Sequence, residues 1–251
     1  MPRTVPHVSE NDRAVVENEL GADFNCIYKI SEGPGVWTVI GTNLDLGVND
    51  QFRALIIAAA ERTGIDPACL AALIDIEAAK APSGAWNVNS RNPTTTASGL
   101  TQFVQDTWRD MAKNPTTFLN TVAKERNLID ARSAVVDDAA LLDLRFDAQC
   151  SVMTAADYAA INLRRLTGAG LVGANFSDEA KARAMYLAHH DGLAGAEAWL
   201  RGQVTEEDAE RKLIDQIGSA RAAHAKTDHA TWAEAYLAWI YSLVQPAKFT
   251  V

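Results

Sequence analysis

A glutamate at the end of an apolar helical stripe is the residue of this chain best suited to acid chemistry. Leu70, Leu73, Ile74 and Glu77 recur at three- and four-residue spacing, so a helix through them lays all four on one face. The stripe that enters the core therefore ends in a carboxylate. Burial against apolar neighbours disfavours the ionised form and lifts a glutamic acid from about 4.3 toward about 6, which makes a proton donor near neutral pH. A glutamate on an alanine-rich helix can equally be a solvated surface residue, so the helix alone does not decide. Asp75 falls on another face and is expected in solvent.

Downstream, Ala97-Ser98-Gly99-Leu100-Thr101-Gln102-Phe103 leads into Val104-Gln105-Asp106-Thr107-Trp108. This is a tight glycine turn with an inward Leu and Phe and polar side chains able to meet a sugar, or more simply a helix start with an apolar anchor. His189 and His190 are adjacent and point about 100 degrees apart on a helix, so they do not easily chelate one ion. Cys26, Cys69 and Cys150 are odd in number, widely spaced and without a CxxC pair, which fits neither a disulfide framework nor a zinc site. All three read as reduced thiols, and neither a metal nor a cofactor is expected.

The elements that must position these residues are mostly helices. Beyond Asn49, apolar residues recur at helical spacing, which predicts helices near 50–62, 67–80, 104–113, 115–126, 148–167, 177–187, 192–201, 205–224 and 230–243. Asp66 before Pro67 is an N-cap followed by proline at the first helical position. Thr205 with Asp208 resembles a capping box. Residues 82–98 are rich in Ser, Asn, Thr, Gly and Pro and read as a long functional or mobile loop. Trp232, Tyr236 and Trp239 on the last helix read as core packing rather than a binding face. The first fifty residues differ, with a short helix at 11–20 and strands at 25–30 and 36–40 around Glu32-Gly33-Pro34-Gly35.

Composition bounds the partners. With 251 residues, 48% of them apolar, the chain can bury one substantial core and a small appended module. A net charge of -9 argues against a protein that tracks phosphates, so nucleic acid is not expected. The N-terminus lacks a long apolar segment, and runs such as residues 55–60 are too short to span a bilayer. The expectation is a protein without a membrane span, made in the cytoplasm without a signal peptide.

Glu77 after an apolar helix, then Gly84-Ala85-Trp86-Asn87, Ser90-Arg91-Asn92 and the Ser98-Gly99-Leu100-Thr101-Gln102-Phe103 turn ahead of Thr107-Trp108, resemble in order and spacing the SLT-type lytic transglycosylase motif, of the goose-type lysozyme superfamily. Met185-Tyr186-Leu187-Ala188-His189-His190-Asp191-Gly192 is similar to the third motif of that family, the Ala-Tyr-Asn-Ala-Gly block, in its phage-lysin variant. The resemblance covers roughly residues 51–200. It departs from the family at Ala78, where Ser is usual, at Leu187, where Asn is usual, and in an enlarged threonine-rich insertion before Gln102.

The resemblance implies a mainly α, lysozyme-like catalytic domain over 50–251, with 1–49 as an arm or small module that has room for a β-hairpin. It implies a monomeric enzyme acting on peptidoglycan glycan strands, phage endolysin-like, with Glu77 as the acid that protonates the bond between N-acetylmuramic acid and N-acetylglucosamine. The same carboxylate then serves as base for the muramoyl C6 hydroxyl, so no second carboxylate is needed, unlike the usual pair of a glycosidase. Ser98, Gln102 and Phe103 would line the cleft, Tyr186 would set its hydroxyl near Glu77, and one of His189 and His190, assigned as His190, would floor the cleft or serve as a structural hydrogen-bonded histidine. Trp86 would stack on a sugar or anchor the loop in the core. The rivals are a hydrolytic muramidase of the same fold, a non-catalytic glycan-binding virion or adaptor protein, and a toxin injected into rival bacteria. Asp191 is the one candidate partner acid, although Gly192 beside it suggests a helix end. A separate acid at Glu32 before a hairpin is also weighed, but only six residues part it from Thr38. Delivery to the wall would then need a holin or a secretion machine.

Overall fold

The structure, a computed structural model, describes residues 43–251 in full and the backbone of residues 27–30 and 37–40. The helix expected at 11–20, Cys26 and the reading built on Glu32 lie outside the described residues. Strands β1 (Ile27–Ile30) and β2 (Trp37–Ile40) pair antiparallel, with Ile27 opposite Ile40 and Ile30 opposite Trp37.

From residue 43 the described chain is mainly helical, as the periodicity requires. A 3₁₀ turn, Gly47–Phe52, leads into α1 (Arg53–Thr63) and then α2 (Pro67–Glu77). After the long loop come α3 (Gln105–Lys113), α4 (Phe118–Glu125), α5 (Asp138–Asp143), α6 (Ala148–Gly168), α7 (Asp178–Leu200), α8 (Glu206–Ile217), α9 (Ser219–Thr227) and α10 (Trp232–Leu243). No helix among the described residues is long and apolar enough to cross a membrane.

The central element is α2. Asp66 caps it, accepting from the backbone N–H groups of Ala68 (2.9 Å) and Cys69 (3.1 Å), with Pro67 supplying a first position that has no N–H to satisfy. Every residue from Pro67 to Ile74 is buried, so α2 is apolar on all sides and not along one stripe. Around it pack α1, α6, α7 and a C-terminal 3₁₀ turn, Pro246–Phe249. The helix stops at Glu77, short of the expected residue 80, because Ala78 turns into extended backbone.

Segment 43–46 and the C-terminal residues close the unit around this core. Asp45 N–H donates to the Phe249 carbonyl and Val251 N–H to that of Asn43, both at 2.9 Å. Leu44 and Leu46 are buried with them, so the helical unit reaches back past residue 50 to residue 43. A second, smaller core gathers Phe103, Trp108, Leu119 and Leu141 from the segment that holds α3, α4 and α5. Helix α6 serves both, giving Val152, Ala156 and Ala159 to the first and Cys150 and Ala155 to the second. Cys69 and Cys150 are unpaired and buried, and burial first, then acidic neighbours, pushes both thiols up to about 12.

Other boundaries differ from expectation for local reasons. The segment 205–224 breaks at Gly218 into α8 and α9, and 177–187 and 192–201 join into α7, interrupted only where Gly192 leaves helical geometry (φ 73, ψ 163). Thr117 caps α4 and delays its start, and the short α5, capped by Asp137, lacks a strong apolar period to betray it. On α10, Tyr236 is fully buried and stacks on Trp199 with ring centroids 4.3 Å apart, while Trp232 and Trp239 are half-buried against the same core.

The long loop, residues 78–104, is ordered by a few specific contacts. Trp86, 4% exposed, packs between Phe52 and Phe249 and donates its indole N–H to Asp75 Oδ1 at 2.8 Å. Asp75 also pairs with Lys80, so it is not the free surface acid its helical position suggests. The buried Arg145 donates to the carbonyls of Thr96 (2.7 Å), Phe103 (3.2 Å) and Leu142 (3.0 Å), tying the loop to the second core. At Gly99, φ is +79, and an added Cβ would lie 1.9 Å from the Arg145 carbonyl oxygen. Gly64, at φ +76, has open space around it. Gly64→Ala is therefore expected to cost about 1 kcal/mol from backbone strain alone, and Gly99→Ala more than about 2 kcal/mol because backbone must also shift. Urea unfolding of the two variants checks this, and equal losses would contradict it.

Candidate active site

Glu77 is the last residue of α2, where the fully buried helix meets polar surroundings. Its side chain is 18% exposed at a small pocket lined by Leu73 and Ile74 of α2, Thr101 of the loop, Ala155 and Ala159 of α6, and Met185 and His189 of α7. The lining draws on both cores, so the pocket lies at their seam. Apart from Glu77, Thr101 and His189 its walls are apolar, and Thr101 directs its hydroxyl to Ser151 Oγ at 2.8 Å. Among the described residues of the lining, Glu77 and His189 are left as the ionisable groups.

Two neighbours attend the carboxylate. His189 Nε2 lies 3.9 Å from Glu77 Oε1. The His189 ring stands edge-on to Phe103 (centroids 5.2 Å apart) and Tyr158 (5.8 Å), which fixes its orientation. Tyr186, 3% exposed, approaches from the same helix. Burial, then the charge of the nearby Glu77, raise the phenol well above its ordinary value. The hydroxyl therefore keeps its proton and can donate to Glu77.

The other expected site residues are placed differently. Gln102, at φ 49, donates its side-chain amide to Ser90 Oγ and the Gly99 carbonyl, both at 2.7 Å, so it fastens the turn. Ser98 is buried, its hydroxyl directed at the Thr96 carbonyl, and Phe103 supports His189 from the second core. Trp86 has no free face for a sugar, because Phe52 and Phe249 pack against its ring and Asp75 takes its N–H. His190 turns away from the pocket toward Asp191 and Tyr236, so the histidine at the pocket is His189. Adjacent helical residues diverge by about 100 degrees, whereas Met185 and His189, four apart, share a face. That spacing was the available signal for His189, and Thr101 had none.

Asp191 is a buried anchor and not a partner acid. Its side chain, 4% exposed, accepts from Lys212 Nζ (2.7 Å), Trp199 Nε1 (2.7 Å) and Tyr236 Oη (2.8 Å), with His190 Nδ1 at 3.4 Å. Burial by itself would raise this carboxyl, but the hydrogen bonds from His190, Lys212 and Tyr236 and the Lys212 charge outweigh it and hold the group well below the usual carboxylate range. The bonds join α8 and α10 to the residue that ends the His189-bearing turn of α7. Among the described residues, no three His, Cys, Asp or Glu side chains are grouped to hold a metal ion.

No protein-family model matches the chain, and no curated protein matches it in sequence.

The Asp191 anchor has a signature in stability. A carboxylate whose folded pKa is depressed adds stability that is full above its unfolded value near 4 and is lost as pH falls toward the folded value. Asp191→Asn is expected to cost about 2 kcal/mol at pH 7, since the amide is a weaker acceptor for Lys212, Trp199 and Tyr236 than the carboxylate. That deficit should shrink as pH drops below about 5. Thermal melts of both proteins from pH 7 to 3 measure it, and a deficit independent of pH would contradict the assignment.

Proposed function

We propose that the chain is a peptidoglycan-cleaving enzyme of the lytic transglycosylase kind, with Glu77 as its single acid and base. The observation that carries the reading is a pocket carboxylate, 18% exposed at an apolar seam, with Tyr186 and His189 beside it and no second carboxylate among the described residues of the lining. The motif resemblance around Glu77, the Gln102 turn and Tyr186 supports the same reading.

In this mechanism protonated Glu77 gives its proton to the β-1,4 glycosidic oxygen, the bond from muramoyl C1 to that oxygen breaks, and the N-acetylglucosamine side leaves as an alcohol. The Glu77 carboxylate then removes the proton from the muramoyl C6 hydroxyl as its oxygen bonds to C1. A 1,6-anhydro ring forms, no water is consumed, and the acid is restored for the next turnover. One carboxyl group performs both transfers because the two protons pass in opposite directions in successive steps. Tyr186 donates to the ionised form and so steadies Glu77 while it is a base.

A hydrolytic muramidase is the second reading, favoured by one observation. His189 Nε2, 3.9 Å from Glu77 Oε1, offers an imidazole placed to activate water in place of the sugar hydroxyl. On either route the substrate lies in the cell wall, reached by holin- or secretion-type delivery in a phage lysin or an injected toxin.

Glu77→Gln is expected to reduce clearing of purified peptidoglycan by at least a hundredfold while sedimentation with the wall persists. Retained clearing would remove Glu77 from the mechanism. Mass spectrometry of wild-type products separates the two routes, since anhydro muropeptides are lighter by one water than reducing-end products. Should reducing ends dominate, His189→Gln is expected to abolish them.

A further inference from the structure

The long loop that carries Thr101 also presents a cation that the acid chemistry does not use. Arg91 is exposed, and its guanidinium lies 4.1 Å from the centroid of the Phe146 ring. Among the described residues no carboxylate lies within salt-bridge distance of it, in a chain with 32 acidic residues. A cation held over an aromatic face has lost much of its side-chain freedom before any ligand arrives.

The backbone beneath it is fixed as well. Arg91 bridges to Ser98, and Asn92 Oδ1 accepts from the N–H groups of Thr94 (2.9 Å) and Thr95 (3.1 Å). Ser90, the preceding residue, accepts the Gln102 amide at 2.7 Å, and Gln102 follows Thr101 of the Glu77 pocket. Thus the backbone that carries Arg91 is tied, through Ser90 and Gln102, to the segment that supplies Thr101 to the pocket. Behind it, Arg145 spends its donors on carbonyls and adds no negative charge, and its guanidinium is held below its ordinary value by burial and then by the charge of Arg91. An ordered planar fork with open donors and no internal anion is matched by an external carboxylate.

We propose that Arg91 is a specificity-determining residue that receives a carboxylate carried by the muramoyl side of the glycan, an inference that rests on the peptidoglycan reading above. Two groups carry that chemistry, the carboxylates of the stem peptide and the lactyl carboxylate freed when the peptide is removed. Either would distinguish wall glycan from an uncharged polymer of N-acetylglucosamine.

The test measures binding on the Glu77→Gln background, which prevents turnover, with and without Arg91→Gln. The probes are peptide-bearing glycan strands, amidase-stripped strands and uncharged N-acetylglucosamine oligomers. Arg91→Gln is expected to weaken binding to at least one of the two charged strands about tenfold relative to the uncharged oligomers. Loss confined to peptide-bearing strands identifies the stem peptide, and loss on stripped strands identifies the lactyl group. Arg91→Lys, which keeps the charge without the planar fork, is expected to retain part of the preference. An unchanged ratio overturns the proposal and leaves the peptidoglycan reading standing. Failure of the Glu77→Gln protein to bind any of the three glycans overturns both.

Discussion

A helix buried on every side can carry polar groups only where it ends, and α2 is such a helix. Pro67 to Ile74 are all buried, enclosed by α1, α6, α7 and the C-terminal turn, and the N-terminal end is satisfied by Asp66. At the other end the chain turns extended at Ala78, and Glu77 takes the last helical position. The acid thus stands where the apolar environment stops, which is also where the two cores part. Its position follows from packing on all faces of α2, so it is set as rigidly as the core itself.

Glu77 and Asp191 show how environment assigns different roles to two partly or wholly enclosed acids. Asp191 is filled by donors from α8, α10 and the end of α7, and its charge is neutralised by Lys212. No capacity remains for a reacting group. Glu77 has a tyrosine and a histidine beside it at a pocket with apolar walls, and it keeps an exposed fraction. Asp191 in turn ties α8 and α10 to α7, which carries Tyr186 and His189.

The loop after α2 completes the pocket by supplying Thr101, and it anchors Trp86 and Leu100 in the first core and Phe103 in the second. Three polar anchors hold it: the Trp86 indole on Asp75, the Asn49 side chain bonded to Gly84 and Trp86, and the Arg145 guanidinium across Thr96 and Phe103. Gly99 permits the backbone approach that brings the turn against Arg145. Polar contacts of fixed geometry give such a segment one conformation where a small apolar surface would not.

The sequence by itself determined the helical character of the unit, the cap at Asp66 and Pro67, the unpaired state of Cys69 and Cys150, and Tyr236 as core. Periodicity and capping are local properties, so they can be read from neighbours along the chain. Only the tertiary structure decided which histidine meets Glu77, that Asp75 and Trp86 bind each other in the interior, that Gln102 and Ser98 serve the turn, and that Asp191 is an anchor. Those outcomes depend on partners far away in sequence, such as Phe249 against Trp86, Tyr236 on Asp191 and Arg145 under Gly99. A helical period gives the direction of a side chain relative to its own helix, and what lies in that direction is set by how the other helices pack.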